Sequence, residues 1–335
     1  MPTERIPQSP PVIAPVDKNG VRPLWSVMIP AYNCSSYLKE TLQSVLLQDT
    51  GAANMQIEVV DDCSTDADVT SLVTKSGKGR VDFYGQPHNM GSLRNFETCL
   101  NRSRGKLIHI LHGDDQVAPG FYDEIEKLFN QNPSIGAAFT GITMIDEKGQ
   151  VLYDNNLIQS HAGIIKGWLL TIAQAQRLRT CAIVVRRSVY EQLGGFFAVH
   201  YGEDWEMFVR IAATFPVAYS PKKLALYRLH ENNISSRFLA SGQNIKDIKI
   251  VIDIIQQYLP VDKKAEIKEN STKNFSIYFA NNAQGIYKKT GDAQLALSQA
   301  KGAISLHLNK TSLLALVKLY VKILVNSKMA ARLKP

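Results

Sequence analysis

The chain has 335 residues, 45% hydrophobic and 20% charged, the makeup of a globular protein long enough for two domains or for one large domain with an appendage. Four cysteines, Cys34, Cys63, Cys99 and Cys181, stand far apart, which argues against a CxxC-type zinc site or a disulfide framework and fits reduced thiols in the cytoplasm. The formal net charge of +8 is carried by the C-terminal part alone: residues 1–240 hold 23 Lys and Arg against 24 Asp and Glu, and residues 241–335 hold 15 against 6, a net of +9. Such a basic tail suits an anionic lipid surface; its few, unclustered aromatics argue against nucleic acid.

The opening stretch MPTERIPQSPPVIAPVDKNG lacks the apolar run of a signal peptide and is rich in proline, so residues 1–23 read as a disordered leader. From residue 24 short apolar runs alternate with amphipathic ones. LWSVMIP (24–30) predicts a strand, SSYLKETLQSVLLQ (35–48) a helix opened by a Ser cap, QIEVVD (56–61) and VDFYG (81–85) two more strands. SLRNFETCLNRS (92–103) predicts a helix, KLIHIL (106–111) a strand, VAPGFYDEIEKLFNQ (117–131) a helix, and IGAAFTGITMID (135–146) a strand entering a turn at Glu147-Lys148-Gly149. After a less regular middle, RTCAIVVRRS (179–188) reads as a strand leading into a short helix, EDWEMFVRIAATF (203–215) as a helix, and LALYRLHENNIS (224–235) closes the first domain. Beyond about residue 240 the runs are helical: 243–259, 261–288, 292–305 and 311–326. In the last, Lys318 and Lys322 share one face while Leu314, Val317, Val321, Leu324 and Val325 fall largely on the other, a pattern that fits either a packed helix or one lying on a membrane.

Alternating strands and helices predict an α/β fold with a mostly parallel sheet covered by helices on both faces, and ligands in such sheets sit at the carboxyl ends of the strands. Three of those ends carry Pro30-Ala31-Tyr32-Asn33, Asp61-Asp62-Cys63-Ser64-Thr65-Asp66 and His112-Gly113-Asp114-Asp115. Carboxylates crowded onto one edge need a cation or hydrogen-bond donors, and oxygen ligands favour Mg²⁺ or Mn²⁺; an aspartate pair before a helix is also an ordinary cap.

With these stretches in this order, joined by NMGSLRN, the GGF of 194–196, GEDWEMFVRIA and LALYRLHENNIS, residues 24–236 resemble the family 2 glycosyltransferases, inverting enzymes of the GT-A fold that use nucleotide-diphosphate sugars. The resemblance implies a GT-A domain over 24–239 (Rossmann-like) and a basic helical region over 240–335. It places the donor nucleotide on Pro30, Ala31, Tyr32, Asn33, Asp61, Asp62, Gly91, Arg94, His112, Gly113, Asp115 and Arg228. It makes Asp114 the metal and diphosphate residue, in a DxD-type motif whose first acid is here His112, with His230 a second candidate ligand.

By the same resemblance Asp204 is the general base and Glu203 supports it or positions the acceptor. An acid pair at a helix start is also what the helix dipole favours, and Trp205 beside it fits the core as well as an acceptor wall. Mn²⁺ or Mg²⁺ and a UDP-sugar or other nucleotide sugar are the expected cofactor and donor. The expected acceptor is a hydroxyl of a carbohydrate or lipid-linked molecule in polysaccharide, glycolipid or glycoprotein synthesis, met in the cytoplasm or at the inner face of the membrane. Two other readings compete: a metal-dependent nucleotidyltransferase, against which stands the lack of a GxxxxGK-type loop, and a non-catalytic basic binding protein.

Overall fold

The computed structural model describes residues 4–17, 20–230, 238, 239 and 241–332, with side chains to residue 326. Its described residues form two compact units, one of residues up to 168 and from 177 to 230, the other of 169–176 and the residues beyond 231. The division falls near 231 rather than 239. Residues 169–176 join the second unit, where the Gln174 carbonyl accepts a hydrogen bond from Asn274 (3.1 Å).

In the first unit β1 (Trp25–Ala31), β2 (Met55–Asp61), β3 (Asp82–Gly85) and β4 (Leu107–Ile110) are parallel, with β1 between β2 and β4. The sheet then turns mixed: β4 pairs antiparallel with β9 (Ile183–Arg186), β9 antiparallel with β6 (Ala137–Ile145), and β6 parallel with β10 (Val217–Arg228). Three short strands pair antiparallel at its margins, β5 (Gln116–Val117) and β8 (Gly163–Ile164) with β10, and β7 (Val151–Asp154) with β6. Every residue of β1, β2 and β6 is buried, which is why they appear in the sequence as near-continuous apolar runs.

The flanking helices are α1 (Ser35–Leu46), α2 (Val69–Gly77), α3 (Ser92–Arg102), α4 (Phe121–Gln131), α6 (Arg187–Leu193) and α7 (Glu203–Thr214), while α5 (Trp168–Ile172) passes at its second residue into the other unit. Two helix starts differ from expectation. The first residue of α1 is not capped by a serine hydroxyl; its amide donates to Asp66 Oδ2 across the β2 loop (2.9 Å). α4 begins only at Phe121, because Gly120 (φ +87°) breaks the run and residues 116 and 117 instead pair with β10. α2, not foreseen as a helix, is capped by Asp68, whose carboxylate accepts from Ser71 N (2.9 Å).

The largest departure is the leader. Residues 4–17 are pinned along the first unit, not disordered: Ala198 N donates to Pro7 O (2.9 Å), Gly195 N to Pro11 O (2.8 Å), and the Arg187 guanidinium to Ala14 O (2.8 Å). Ile13 is 1% exposed. Low hydrophobicity hid this, because a proline-rich segment held mainly by its backbone carbonyls needs few apolar side chains.

The second unit holds α8 (Gln243–Ile255), α9 (Lys264–Thr290), α10 (Ala293–Leu306) and α11 (Lys310–Arg332), matching the four expected helical runs. Among the described residues no helix is long and apolar enough to cross a membrane.

Where β10 bulges beside α4, Glu124 accepts hydrogen bonds from Ser220 Oγ and Lys222 Nζ, both at 2.6 Å. Burial pushes the Glu124 carboxyl up, but these two donors outweigh it and hold the group below the usual range. A lowered carboxyl stabilises the fold above its unfolded pKa, about 4.3, and that contribution is lost as pH falls through the folded value. Glu124→Gln is therefore expected to cost about 1 kcal/mol at pH 7, a few degrees in Tm. The gap from the parent should close by pH 3 in thermal melts across the acid range.

Candidate active site

The site is built where the loops after β1, β2 and β4 cross. Asp62 N donates to Ala31 O (2.8 Å) and Gly113 N to Pro30 O (3.1 Å), so the three strand ends are stitched together by backbone. Asn33 (φ +49°) and Cys63 (φ +61°) both adopt the left-handed region. Asn33 Oδ1 accepts from Thr65 N (2.8 Å), and Asn33 N donates to Ser64 Oγ (2.9 Å). Asp61 turns its carboxylate onto Ser64, accepting from N (3.0 Å) and Oγ (2.5 Å), so it shapes this loop.

Asp62, only 2% exposed, holds the turn before α3: Oδ1 accepts from Met90 N (2.7 Å), Oδ2 from Gly91 N (2.9 Å) and Asn89 Nδ2 (2.9 Å). Burial raises its carboxyl, and the amides of Met90 and Gly91 oppose that. Arg94 points away, its guanidinium donating to Glu4 O (2.8 Å) and Glu97 Oε2 (2.6 Å).

After β4, His112, Asp114 and Asp115 each offer a ligand atom, and these atoms lie within 4.8 Å of one another. The His112 ring stacks on Phe96 with centroids 5.4 Å apart, and its Nδ1 stands 4.0 Å from Asp115 Oδ2. Burial lowers the imidazole pKa, which favours the neutral, ligating form. His230, expected as a ligand, lies outside this cluster; its Nε2 is 2.9 Å from Asp114 Oδ2 and its ring packs on Tyr37. Burial pushes Asp114 up, but the His230 hydrogen bond and the nearby His112 hold it below the usual range. Its neighbour Asp115, 1% exposed, is pushed well above that range by burial and by Asp114, against the Arg228 amide that donates to its Oδ1 (2.9 Å).

Arg228, expected to reach donor phosphates, is instead fully buried with its guanidinium committed to protein acceptors. Nε donates to Asp114 O (2.9 Å), one terminal nitrogen to Asp146 O and Glu147 O (3.0 Å each), and the other to Glu40 Oε2 (2.6 Å). It fixes the Asp114-Asp115 backbone and leaves no fork for a phosphate.

Opposite, α7 starts after Gly202 (φ +94°), which places Glu203 and Asp204 in its first turn, both partly buried. Burial raises the Asp204 carboxyl above the usual range, moderated by Arg179, the Trp205 amide and His112. The influence of His112 ties Asp204 to the acidic cluster. Trp205 is 0% exposed and is core, not an acceptor wall. The α7 helix is locked by the buried pair Glu206 and Arg210 (3.0 Å), and Arg210 also donates to Gly195 O (2.9 Å).

A model of glycosyl transferase family 2 matches residues 26–194, half of the chain. The chain belongs to glycosyl transferase family 2. This glycosyltransferase is 26% identical to an uncharacterized glycosyltransferase of Haemophilus influenzae over 79% of its own length and 84% of the relative's. It is 28% identical to an uncharacterized protein of Mycobacterium tuberculosis over 69% and 75%. In three dimensions it is similar to S. aureus TarS in complex with UDP-GlcNAc, with a TM-score of 0.64 and 15% identity over 83% of this chain and 79% of that one. It also resembles the mannosyltransferase PcManGT from Pyrobaculum calidifontis in complex with GDP-Man and Mn²⁺, at a TM-score of 0.56 and 16% identity over 93% and 84%. The fold is thus GT-A and the enzyme a glycosyltransferase, which sets aside nucleotidyl transfer and a purely binding role.

Sequence reasoning missed Glu40, Tyr37 and Arg179 of this glycosyltransferase. Glu40 is the carboxylate partner of Arg228, Tyr37 packs on both Arg228 and His230, and Arg179 is the strongest positive influence on Asp204. Only a charge on the exposed face of α1, and an arginine opening a strand, hinted at them.

The middle residue of His112-Gly113-Asp114 must be glycine for a steric reason. A Cβ there would stand 2.7 Å from Cys34 Sγ, while the other neighbours, Pro30 O and Ala31 Cβ, are at 3.4 and 3.5 Å. Gly113→Ala is expected to lower stability by about 2 kcal/mol through overpacking and to cut donor turnover as the aspartates shift. Cys34→Ala in the same chain removes the clashing sulfur, so the double variant should regain most of the loss measured against Cys34→Ala alone; thermal melts and turnover of all four proteins check this.

Proposed function

We propose that this enzyme is an inverting transferase that moves a sugar from a UDP-sugar to a hydroxyl of a carbohydrate or lipid-linked acceptor. The observation that carries the reading is the pairing of an acidic cluster at the end of β4 with a partly buried aspartate of raised pKa at the start of α7. A uridine donor is favoured by the likeness to a structure that holds UDP-GlcNAc.

The cluster fits a divalent cation, because His112 Nε2 and Asp115 Oδ2 are buried without a hydrogen-bond partner, a costly state that a ligated ion would relieve. Asp114, with His112 and Asp115 beside it, would hold Mn²⁺ or Mg²⁺; bound there, the ion neutralises charge on the leaving diphosphate. His230 orients the Asp114 carboxylate, and Arg228 keeps its backbone in place. Asp204 takes the proton of the acceptor hydroxyl as that oxygen bonds to the anomeric carbon and the carbon–oxygen bond to the diphosphate breaks on the opposite face. A carboxyl raised by burial is a better base than an exposed one, and the first turn of α7 holds it rigidly. Glu203, one residue before it, supports acceptor placement.

For the acceptor side we place the enzyme at a membrane surface. On α11 the exposed side chains of Leu313, Leu314, Val317, Tyr320, Val321 and Leu324 form a stripe of about 120° opposite the buried Ala315, Leu316 and Leu319. Lys318 and Lys322 border it, and the +9 charge of residues 241–335 is complementary to anionic headgroups.

Incubated with UDP-glucose, UDP-galactose, UDP-N-acetylhexosamines and GDP-mannose, the purified enzyme should release nucleoside diphosphate from one of them only when Mn²⁺ or Mg²⁺ is present. Asp114→Ala should abolish that release. Asp204→Asn should lower transfer by about 10³-fold while UDP binding persists, and the product should show inverted anomeric configuration by NMR. Turnover undiminished in Asp204→Asn would sink the assignment of the base. In vesicle sedimentation, Leu314→Glu with Val321→Glu should release the enzyme from phosphatidylglycerol-containing liposomes; a parent protein that stays in the supernatant would sink the membrane role.

A further inference from the structure

The N-terminal segment is a strap that brings a cation, Arg5, to the turn before α3. Its anchor lies at the Gly194-Gly195 turn. Gly194 (φ +80°) admits no side chain, since a Cβ would stand 2.8 Å from both Pro10 Cβ and Pro11 O, and Ile13 fills the space beside Gly195. Pro7 and Ile13 are buried, and three backbone hydrogen bonds at Pro7, Pro11 and Ala14 fix the strap over some 8 residues.

Beyond that anchor, Glu4 O takes the Nε–H of Arg94 (2.8 Å), which turns the Arg94 guanidinium away from the strand ends. The neighbouring Arg5 reaches the turn before α3. It donates to Asn89 Oδ1 (2.5 Å), and a Cβ on Gly91 would meet its Nε at 3.1 Å. Asn89 and Gly91 are the residues whose nitrogens hold the Asp62 carboxylate, and Arg5 is close enough to influence that carboxylate electrostatically.

Resting on the donor-site reading above, in which the Asp62 and Gly91 loops receive the nucleoside, we infer that Arg5 is a donor-specificity residue supplied by this strap. A guanidinium offers only donors, so it suits the carbonyl-bearing edge of a base such as uracil. Its contact would be the same for the mono- and diphosphate, because it lies at the nucleoside end and not at the Asp114 cluster.

The test is isothermal titration of UDP, CDP, GDP and ADP, each with Mn²⁺, into the full chain. The nucleotide bound most tightly, and its monophosphate, are then titrated into Arg5→Ala, Arg5→Lys and Ile13→Ala. Arg5 is exposed, so its removal should leave the melting temperature unchanged. Arg5→Ala should raise the dissociation constant for both nucleotides about tenfold and raise donor KM with kcat within twofold. Arg5→Lys should recover part of the loss, and Ile13→Ala, which loosens the anchor without touching Arg5, should weaken binding in the same sense. Unchanged or tighter binding by Arg5→Ala would overturn the inference while the parent still binds and turns over donor. A parent that binds none of the four nucleotides overturns both this inference and the donor reading, whereas one that prefers GDP overturns only the uridine assignment.

Discussion

The buried guanidinium of Arg228 is the constraint around which the active edge is organised. A full charge at 0% exposure is tolerable only if its hydrogen bonds are met, and here they are met by Asp114 O, Asp146 O, Glu147 O and Glu40. One side chain at the end of β10 thereby fixes the loop after β4, the turn after β6 and the outer face of α1. Its own backbone amide binds Asp115. The acidic cluster is therefore positioned by a buried cation, and removing that side chain would leave the carbonyls of Asp114, Asp146 and Glu147 without their shared donor.

The arrangement around it follows from sheet topology. Parallel strands β1, β2 and β4 end on the same edge, and the influence of His112 on Asp204 ties the start of α7 to it. The acidic cluster and the carboxyl pair at the start of α7 come from chain segments some ninety residues apart, as positions 114 and 204 show. Each is held by its own local device: loop stitching through Pro30 O and Ala31 O for the first, and the left-handed Gly202 before α7 for the second.

Much of this was legible in the sequence, and the division between what was and was not has a physical basis. The central strands were readable because burial on both faces demands continuous apolar runs. The acids were readable because they follow those runs directly. Arg228 was misread because the choice between phosphate and protein acceptors depends on Glu40, 188 positions away, and on the Asp114 carbonyl, which has no sequence signature. His230 was read as a ligand, and it stands 2.9 Å from Asp114 Oδ2, beside the group of His112, Asp114 and Asp115. The strap was misread for a different reason: its contacts are mostly backbone carbonyls, which every residue possesses. β5 and β8, two residues each, are too short to carry any period.

The histidine at position 112 now has an electrostatic rationale. Asp114 and Asp115 are adjacent, and their environments push them apart: His230 and His112 hold the first low, while burial and Asp114 push the second well up. A third carboxylate in place of His112 would stand about 4 Å from Asp115, and like charges at that spacing repel strongly where water is scarce. It would raise Asp115 further and weaken the hold on Asp114, so an acid there would need the cation present at all times. A neutral imidazole stacked on Phe96 fills the position without that repulsion. The histidine thus leaves the negative charge of the cluster mainly on Asp114, whose carboxyl is held low while that of Asp115 is pushed up.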